Sequence, residues 1–375
     1  MPTPSTPPDT MLAVRAHGPG DLRVDRIPVP KLLDGDVLLR VRAAGVCATD
    51  RKLAARGAPG DGPRILGHEV VAEVAVGSGP GFAPGDRVAL APNVGEGNCP
   101  ACRRGATNLC PDYRAFGIHL DGGMAEYLRV PRAAVEAGHL LLVPDALSDL
   151  DAALLEPLAC CVEGLEASRL RPGDSLLVVA AGVMGRLHVA AARGLGAGTI
   201  VVVDPSEERR AHALALGADV VTDGAAVVTD GADVVTDGAD SRSQDLSGTI
   251  ARATQGRGVD VAAVTIGDPS AVGTALSALA REGRLNLFAG FASDRASLAI
   301  DGNLLHYRGL QVTGTTGASL PTLGRTLALL AGGRLPLAGM VSATFGLDEA
   351  TSAFAAAARP EHARVVLVPP GEAPT

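Results

Sequence analysis

Hydrophobic positions divide the chain into a β-rich first part and a second part in which strands and helices alternate. Short apolar or β-branched runs separated by turn residues, such as Asp36 to Val41 and Val70 to Val76, predict strands over about the first 140 residues. From about Asp145, apolar residues recur near the 3.6-residue period as far as Leu165, which predicts a helix. The turn residues that begin at Arg171 end this helix.

From Ser175 onward, apolar runs alternate with amphipathic segments. The predicted strands are Leu176 to Ala180, Thr199 to Val203, Val259 to Ile266 and Arg284 to Phe288, and the predicted helices are Gly185 to Leu195, Glu207 to Leu216 and Ser270 to Leu279. This alternation is typical of a parallel, doubly wound α/β sheet. The β-rich character returns at Leu310 to Thr313 and at Arg364 to Val368, so we expect the C-terminal part to rejoin the first domain.

These patterns predict an α/β protein of two domains that follow a disordered tail over residues 1–10. The β-rich domain is expected over residues 11–160 and 305–375, and the doubly wound domain over residues 161–304. Three near-copies of the heptad VVTDGA(A/D) occupy residues 220–240. Three copies of period seven are too few for a solenoid, so we expect a surface loop that was expanded by duplication.

Composition narrows the class of protein. The 375 residues carry 33 Lys and Arg against 41 Asp and Glu, a formal charge of −8, and 47% are hydrophobic. A large core is therefore possible, whereas nucleic acid and anionic membrane surfaces are poor partners for a net acidic chain. No uncharged apolar stretch approaches the roughly 18 residues of a membrane span, and residues 1–10 do not resemble a secretory signal. We expect a soluble cytoplasmic protein that binds neither nucleic acid nor a membrane.

A glycine-containing turn between the first strand and first helix of the alternating part predicts a dinucleotide site. Ala180-Ala181-Gly182-Val183-Met184-Gly185 matches the pattern G-x-G-x-x-G, with alanine in place of the first glycine. Gly182 would let the backbone approach a pyrophosphate at the helix N-terminus, and Gly185 would let the helix close on the strand. Such a degenerate motif alone is weak, and an ordinary tight turn is the common alternative.

An acidic residue after the next strand supports the nucleotide interpretation. Asp204 lies about 20 residues beyond the turn, where a carboxylate can bind the 2′-hydroxyl of the adenosine ribose. Its negative charge would repel the 2′-phosphate of NADP, although Arg209 could attract one. We therefore expect NAD as the cofactor.

A cysteine cluster in the first domain predicts a metal site. Glu96, Cys99, Cys102 and Cys110 form an E-x2-C-x2-C-x7-C arrangement in a segment rich in glycine and proline. Four ligands within 15 residues suit a closed, tetrahedral structural zinc site. The glutamate is the unusual member.

Two further positions stand beside glycines at the ends of strand-like runs. They are Cys47, in Gly45-Val46-Cys47, and the pair His68-Glu69 after Gly67. Together with the cysteine cluster and the nucleotide motif, they give the chain a clear resemblance to the zinc-dependent medium-chain dehydrogenase/reductase family, the alcohol and polyol dehydrogenases. The resemblance extends from Leu12 to Val368 and implies a GroES-like catalytic domain with a Rossmann domain.

The resemblance implies a role for each matching residue. Cys47, His68 and Glu69 match the motifs of the catalytic zinc, and Glu156 matches an acid that the sorbitol, threonine and glucose dehydrogenase branch places at the zinc directly or through water. Thr49 matches the hydroxyl that passes on the alcohol proton, and Asp50 the carboxylate that orients the histidine ligand. Glu96, Cys99, Cys102 and Cys110 match the structural-zinc lobe of the family, whose first ligand is normally cysteine but is glutamate in some members.

Several features depart from the family or point to its branches. The segment Asn303 to Tyr307 resembles the polyol branch, whereas no histidine lies near Thr49 to complete a proton relay, which leaves Lys52 or solvent as candidates. Glu163 lies seven residues after Glu156. An ordinary solvated residue is the common interpretation of such an acid, but if it lined the cleft it would suit a substrate that carries an amine.

The sequence therefore predicts an enzyme with two Zn²⁺ per chain and NAD. At the catalytic zinc, the alcohol would be acidified and its alkoxide would transfer hydride to NAD. We expect it to oxidise a secondary hydroxyl of a polyol, sugar alcohol or (amino)cyclitol, or to reduce the matching small polar ketone, as a homodimer or homotetramer. A threonine-type or simple secondary-alcohol dehydrogenase is the alternative enzyme, and a non-catalytic binding protein on the same fold is the alternative of another class.

Overall fold

The structure, a computed structural model, describes residues 7–224 and 239–371, with the side chains of residues 239–245 left aside. The chain forms two compact units. The first unit contains residues up to Ala159 together with Gly317–Gly332 and the stretch from Met340, and the second contains Cys160–Thr316 and Gly333–Gly339.

The first unit is built mainly from antiparallel strands. Its strands are β1 (Thr10–Gly18), β2 (Asp21–Pro28), β3 (Val37–Val46), β4 (Arg64–Ile65), β5 (Glu69–Val76), β6 (Arg87–Leu90), β7 (Asn93–Val94), β8 (Arg114–Ala115), β9 (Tyr127–Val130), β10 (Leu140–Leu142), β17 (Val341–Gly346) and β18 (Arg364–Val368). The largest sheet has the order β10-β6-β5-β3-β18-β17, with β9 also paired to β3. Strand β3 lies inside this sheet, where it pairs with β5, β18 and β9, and most of its residues are therefore buried.

Short helices connect these strands. In the first unit they are α1 (Ala48–Arg56), α2 (Pro100–Arg103), α3 (Arg132–Glu136), α4 (Asp149–Ala152), α11 (Leu320–Ala331) and α12 (Ala350–Ala356). Helix α5 (Leu155–Ala167) runs through the point at which the chain divides into the two units. The single helix predicted from Asp145 to Leu165 is therefore two helices, since the chain turns at Ala153 and Leu154.

The second unit is a parallel sheet with helices between its strands. Its strands are β11 (Leu176–Val179), β12 (Ile200–Val203), β13 (Val220–Thr222), β14 (Val259–Val264), β15 (Leu279–Leu287) and β16 (Gln311–Gly314), in the order β13-β12-β11-β14-β15-β16. Its helices are α6 (Val183–Gly194), α7 (Glu207–Ala215), α8 (Ala239–Thr254), α9 (Pro269–Ala278) and α10 (Gly302–Arg308). This is the doubly wound arrangement that the alternating pattern predicts.

The predicted return of the chain to the first unit at residue 305 was wrong. Strand β16 pairs in parallel with β15, from Gln311 opposite Arg284 to Gly314 opposite Leu287, and so completes the parallel sheet. The return occurs only at Gly317. A short β-rich segment after a helix fits either sheet, and the sequence pattern could not distinguish the two.

The predicted repeat loop and tail lie mostly outside the described residues. Of residues 220–240, the first three form β13 and the last two begin α8, while residues 225–238 are outside the described part. In the N-terminal tail, Thr10 already belongs to β1. No helix of the described residues is long and apolar enough to cross a membrane.

A buried carboxylate joins α4 to the large sheet of the first unit. The Asp149 side chain, 1% exposed, accepts a hydrogen bond from Nε of Arg42 on β3 and another from Arg87 on β6, each at 2.8 Å. Charge-assisted bonds of this kind are stronger than neutral ones. If the carboxylate is removed, two largely buried guanidinium groups lose a shared counterion.

We expect Asp149→Asn to destabilise the first unit by about 3–5 kcal/mol, because one partner of a buried charge cluster is lost. Urea unfolding followed by circular dichroism measures the effect. The control is Glu136→Gln, which removes an exposed partner of Arg132 and should leave the urea midpoint nearly unchanged. Equal midpoints for the two variants would show that the Asp149 cluster does not hold the sheet together.

Candidate active site and nucleotide site

Cys47 lies where β3 ends and α1 begins. Its Sγ accepts a hydrogen bond from the backbone N–H of Thr49 at 3.2 Å, and the Asp50 carboxylate accepts one from the N–H of Cys47 at 2.9 Å. These two bonds form a capping box, which satisfies N–H groups that a helix start leaves free. The helix start therefore fixes the position of the sulfur.

Asp50 connects the start of α1 to the segment that carries the histidine. Its second oxygen accepts the N–H of Gly67 at 3.0 Å and lies 3.5 Å from Nδ1 of His68. The contact with His68 is too long for a well-formed hydrogen bond, and it acts through charge. Since Asp50 is fully buried, it orients both segments without exposure to solvent.

His68 and Glu69 complete a compact donor cluster with Cys47. Nε2 of His68 lies 3.3 Å from Sγ of Cys47, and one donor atom from each of the three residues lies within 4.8 Å of the others. Both His68 and Glu69 are buried. Oε2 of Glu69 is a buried acceptor with no hydrogen-bond partner among the described residues. A soft sulfur, an imidazole and a carboxylate form a donor set that suits Zn²⁺.

The charges in this cluster shift its protonation. Burial alone would lower the pKa of His68, but the negative charges of Cys47 and Asp50 outweigh burial and hold this pKa well above its ordinary value. Burial raises the pKa of Glu69 to about 7, against the opposing influence of Arg364 and His68. The cluster therefore attracts positive charge, whether a proton or a metal ion supplies it.

Glycines beside the cluster are required by close packing. At Gly67, where φ is +95°, a Cβ would lie 2.6 Å from Cγ of Met124 and 2.9 Å from its backbone nitrogen. At Gly45, a Cβ would lie 2.1 Å from Oε2 of Glu69. Gly45 thus leaves room for the carboxylate of Glu69, and Gly67 lets the chain before His68 pack closely against Met124.

Sequence reasoning missed one charged member of this cluster. Arg364, on β18, is 4% exposed, and its guanidinium lies 3.1 Å from Oε1 of Glu69 and donates to the backbone carbonyl of Val46 at 3.1 Å. Burial opposes its charge, but the carboxylate of Glu69 leads the groups that raise the pKa of Arg364 above its ordinary value. Its only signal in the sequence is an arginine at the start of an otherwise apolar strand.

The remaining predicted residues are placed as follows. Thr49 is half-buried in the first turn of α1, and Lys52 is exposed three residues later, so the two share a helix face. Glu156 lies in the first turn of α5 and acts by charge on both Glu69 and Arg364, although it is not a member of the compact three-residue cluster. Glu163 lies on α5 within the second unit.

The second donor cluster forms in the lobe around α2. Glu96, Cys99, Cys102 and Cys110 each place a donor atom within 4.8 Å of the others. Cys99 caps α2, and its Sγ accepts the N–H of Cys102 at 3.4 Å and lies 3.5 Å from the sulfur of Cys102. The sequence spacing thus brings together all four predicted ligands of the structural site.

The pKa values of two thiols in this lobe are shifted in opposite directions. Backbone hydrogen bonds, first among them that from Cys102, lower the pKa of Cys99, whereas burial raises the pKa of Cys102 to about 11. A metal ion displaces such protons because it binds thiolates. A Cβ at Gly95 would lie 2.4 Å from Sγ of Cys102, so a glycine is needed there. The donor set and its tight surroundings fit zinc.

In the second unit, Ala180 occupies the first position of the nucleotide turn and has a backbone conformation that favours glycine. Ala180 has φ of +74°, in the region that favours glycine, so the backbone has not shifted to accommodate the side chain. A Cβ at Gly185 would lie 1.9 Å from the carbonyl oxygen of Ala180, whereas a Cβ at Gly182 would meet nothing within 4 Å. Gly185 is therefore needed for packing, and the space beside Gly182 is open at the start of α6, where a pyrophosphate would bind.

Asp204 has a structural contact that the sequence did not predict. It is fully buried, and its carboxylate accepts the N–H of Ala181 at 2.7 Å and the N–H of Ser206 at 2.9 Å, with the guanidinium of Arg209 at 3.8 Å. The carboxylate thus ties the end of β12 to the nucleotide turn. Each of its oxygens retains capacity for a further donor.

Comparison with known proteins identifies the family. Residues 33–140 match the model of the alcohol dehydrogenase GroES-like domain, and residues 183–332 match that of the zinc-binding dehydrogenases. Sorbitol dehydrogenase of Bacillus subtilis (strain 168) is 35% identical over 287 residues, 75% of each chain. L-threonine 3-dehydrogenase of Pyrococcus horikoshii is 31% identical over 358 residues, 92% of this chain and 95% of that protein.

Solved structures agree with this assignment. The chain is similar to a solved structure of a zinc-binding dehydrogenase from Sinorhizobium meliloti 1021 bound to NADP, with a TM-score of 0.84 and 29% identity. The match covers 96% of this chain and 99% of that one. The predicted resemblance and fold class are therefore confirmed. The chain belongs to the zinc-binding dehydrogenases, the GroES-like and Rossmann-domain enzymes that oxidise alcohols with zinc and a nicotinamide cofactor.

Proposed function

We propose that this chain is a zinc- and NAD-dependent dehydrogenase that oxidises a secondary hydroxyl of a polyol, sugar alcohol or (amino)cyclitol to the ketone. The observation that carries the proposal is the compact cluster of Cys47, His68 and Glu69. Zinc held there would act as a Lewis acid that makes an alcohol more acidic, while the oxidised nicotinamide accepts hydride. The chain's own residues supply the ligands, their orientation and the path of the proton.

The ligands are oriented by groups behind them. Asp50 holds Cys47 and Gly67 through their backbone N–H groups and faces Nδ1 of His68, which leaves Nε2 of His68 for the metal. A carboxylate behind a histidine ligand fixes the ring and raises its basicity. Glu69 and Glu156 bring further negative charge, and each is proposed to contact the metal directly or through water.

The proton of the alcohol needs a route away from the buried cluster. The Thr49 hydroxyl is proposed as its first acceptor, because Thr49 follows Cys47 on α1 and is half-buried. Lys52 shares a helix face with Thr49 and is exposed to solvent, so it is the proposed exit. The hydroxyl both accepts and donates, which a relay requires.

Substrate and cofactor follow from weaker features. Asp204 and Arg209 are proposed to bind the adenosine ribose. NAD is preferred because a carboxylate disfavours a 2′-phosphate. The first turn of α6, from Gly182 to Gly185, is proposed to bind the pyrophosphate. Glu163 is proposed to contact an amine if the substrate carries one. A small polar substrate agrees with the low aromatic content of 2%.

A threonine-type dehydrogenase is the second candidate. The L-threonine 3-dehydrogenase of Pyrococcus horikoshii aligns with 92% of this chain, more than the 75% aligned with the sorbitol dehydrogenase. Initial rates of NAD⁺ reduction over polyols, amino-polyols, L-threonine and simple secondary alcohols decide between the two. The highest kcat/KM on a polyol supports the first proposal, the highest on L-threonine favours the second, and no turnover on any of them favours the non-catalytic alternative.

We expect the purified protein to contain two zinc ions per chain, one at each donor cluster. His68→Ala should lose one zinc and all turnover, while NAD binding stays close to wild type because its residues lie in the second unit. Cys102→Ala should lose the other zinc and lower the thermal stability, since structural zinc contributes to folding. Elemental analysis of wild type and both variants measures this. Full activity in His68→Ala would refute the catalytic assignment.

The two glycines of the nucleotide turn should respond differently to alanine. Gly182→Ala should fold normally, since φ there is −57° and the added methyl meets open space, but should bind NAD at least about tenfold more weakly because the methyl occupies cofactor space. Gly185→Ala should lower stability, because its methyl would collide with the carbonyl of Ala180. Thermal unfolding and NAD titration separate these effects. Unchanged NAD affinity in Gly182→Ala would show that the pyrophosphate does not bind beside Gly182.

We expect NAD to be used far better than NADP, and Asp204→Asn to narrow this preference. Asparagine keeps an acceptor for the N–H of Ala181 and removes the charge, so it separates cofactor choice from the structural contact. Asp204→Leu is the control that also breaks the structural contact and should lower stability. The ratio of kcat/KM for the two cofactors is the measurement. Equal use of NAD and NADP by the wild type would contradict the assignment.

A further inference from the structure

A loop of the first unit packs directly against the segment that leads to His68. Three backbone N–H groups of residues 122–124 donate to the carbonyls of residues 65–67 at 2.9 Å each. At Gly117, a Cβ would lie 2.7 Å from the carbonyl oxygen of Gly67, so the two backbones are in close contact. The loop over residues 113–123 is therefore held against the residues that directly precede the catalytic histidine.

His119 is fixed within this loop by its own backbone. Its Nδ1 accepts the N–H of Ala115 at 3.1 Å, so the proton of the neutral ring lies on Nε2. The ring packs edge-on against Tyr113, with the ring centroids 5.6 Å apart. His119 is half-buried, and its Nε2 has no hydrogen-bond partner among the described residues. One N–H donor of the ring is therefore available to a ligand.

Two arginines lie beside His119. The guanidinium of Arg114 is exposed, donates to the backbone carbonyl of His119 at 3.3 Å and has no carboxylate partner in the described part of the chain. The guanidinium of Arg64 lies 3.2 Å from the carboxylate of Asp121, which connects it to the same loop. Nε of Arg64 is buried without an acceptor among the residues that the structure describes, so the protein satisfies only part of this guanidinium. We refer to Arg64, Arg114 and His119 as the basic cluster.

The two arginines produce a positive potential at His119. Burial lowers the pKa of the His119 ring, and the charges of Arg114 and Arg64 lower this pKa further. A potential that disfavours an additional proton favours an anion at the same place. Asp121 offsets the charge of Arg64, whereas the charge of Arg114 is left for a ligand or for solvent.

An anionic substrate would need such a cluster to bind here. The chain has a formal charge of −8, and the acids Asp50 and Glu69 lie at the catalytic donor cluster. Both features repel an anion. Arg64 lies four residues before His68, which is at most about 14 Å of extended chain. The basic cluster is therefore placed to hold one end of a substrate whose hydroxyl reacts beside His68.

On the basis of the proposed function, we propose that the basic cluster recognises an anionic group, a carboxylate or a phosphate, that the substrate carries in addition to its reacting hydroxyl. Arg114 and Nε2 of His119 donate to this group, and Arg64 adds positive charge while Asp121 holds it in position. A guanidinium suits both anions, because its fork of N–H donors matches their oxygen atoms. The substrate is then a sugar acid or a polyol phosphate rather than a neutral polyol.

The test compares neutral alcohols with their anionic counterparts. D-glucitol is compared with D-gluconate and with D-glucitol 6-phosphate, butan-2-ol with 3-hydroxybutanoate, and 1-aminopropan-2-ol with L-threonine. We expect the wild type to favour the anionic compound by about tenfold or more in kcat/KM, as hydrogen bonds to a charged group allow. Preference for the carboxylates or for the phosphate identifies the source of the anion. Calorimetric titration in the presence of NADH makes the same comparison without turnover.

Substitutions in the basic cluster should reduce this preference. Arg114→Gln and His119→Leu should each lower it by about tenfold, mainly through a higher KM, because the contact is made equally in the ground state and in the transition state. His119→Gln keeps a side-chain N–H donor and should recover part of the loss. The matched control is Arg23→Gln, which removes an exposed guanidinium on β2 and should leave the preference unchanged.

Three results would overturn the proposal. They are equal or better use of the neutral compound in every comparison, a preference for anions that survives in both Arg114→Gln and His119→Leu, and an equal loss in Arg23→Gln, which would show an effect of net charge alone. No turnover of any compound would instead refute the proposed function. The calorimetric comparison would then still decide whether the basic cluster binds the anion.

Discussion

The first unit depends on the burial of negatively charged donors at the junction of β3, α1 and β5. Burial without compensation would be too unfavourable for the carboxylates of Glu69 and Asp50 to remain together beside Cys47. Fixed hydrogen-bond donors and a buried guanidinium from β18 compensate these negative charges. What remains is a cluster that attracts positive charge and has a buried carboxylate oxygen without a hydrogen-bond partner among the described residues, as a metal site requires.

Asp50 shows how local structure and chemistry coincide in this unit. The same carboxylate completes the capping box of α1, holds the N–H of Gly67 and faces the ring of His68. A residue chosen only to start a helix could be replaced by several others that cap helices. The additional contacts restrict the choice, since a shorter or neutral side chain would leave either the helix start or the histidine without support.

Much of the fold and site could be predicted because the relevant residues are close in sequence. The spacing of Glu96 to Cys110 places four donors in one lobe, and the turn from Ala180 to Gly185 lies between a strand and a helix. Arg364 could not be predicted, since it reaches Glu69 only through the pairing of β18 with β3. The assignment of β16 to the first unit failed for the same reason, since the sequence of a short apolar strand does not determine which sheet it joins.

The proposed function requires that the alcohol react at a metal held by Cys47, His68 and Glu69. The most direct test replaces the zinc at this cluster by Co²⁺, whose visible spectrum reports coordination geometry and thiolate ligation. For the proposed function we expect a tetrahedral spectrum with a thiolate charge-transfer band that is lost in Cys47→Ser. This spectrum should change when the best alcohol substrate is added. A spectrum unaffected by an alcohol that the same preparation oxidises would contradict the proposed function.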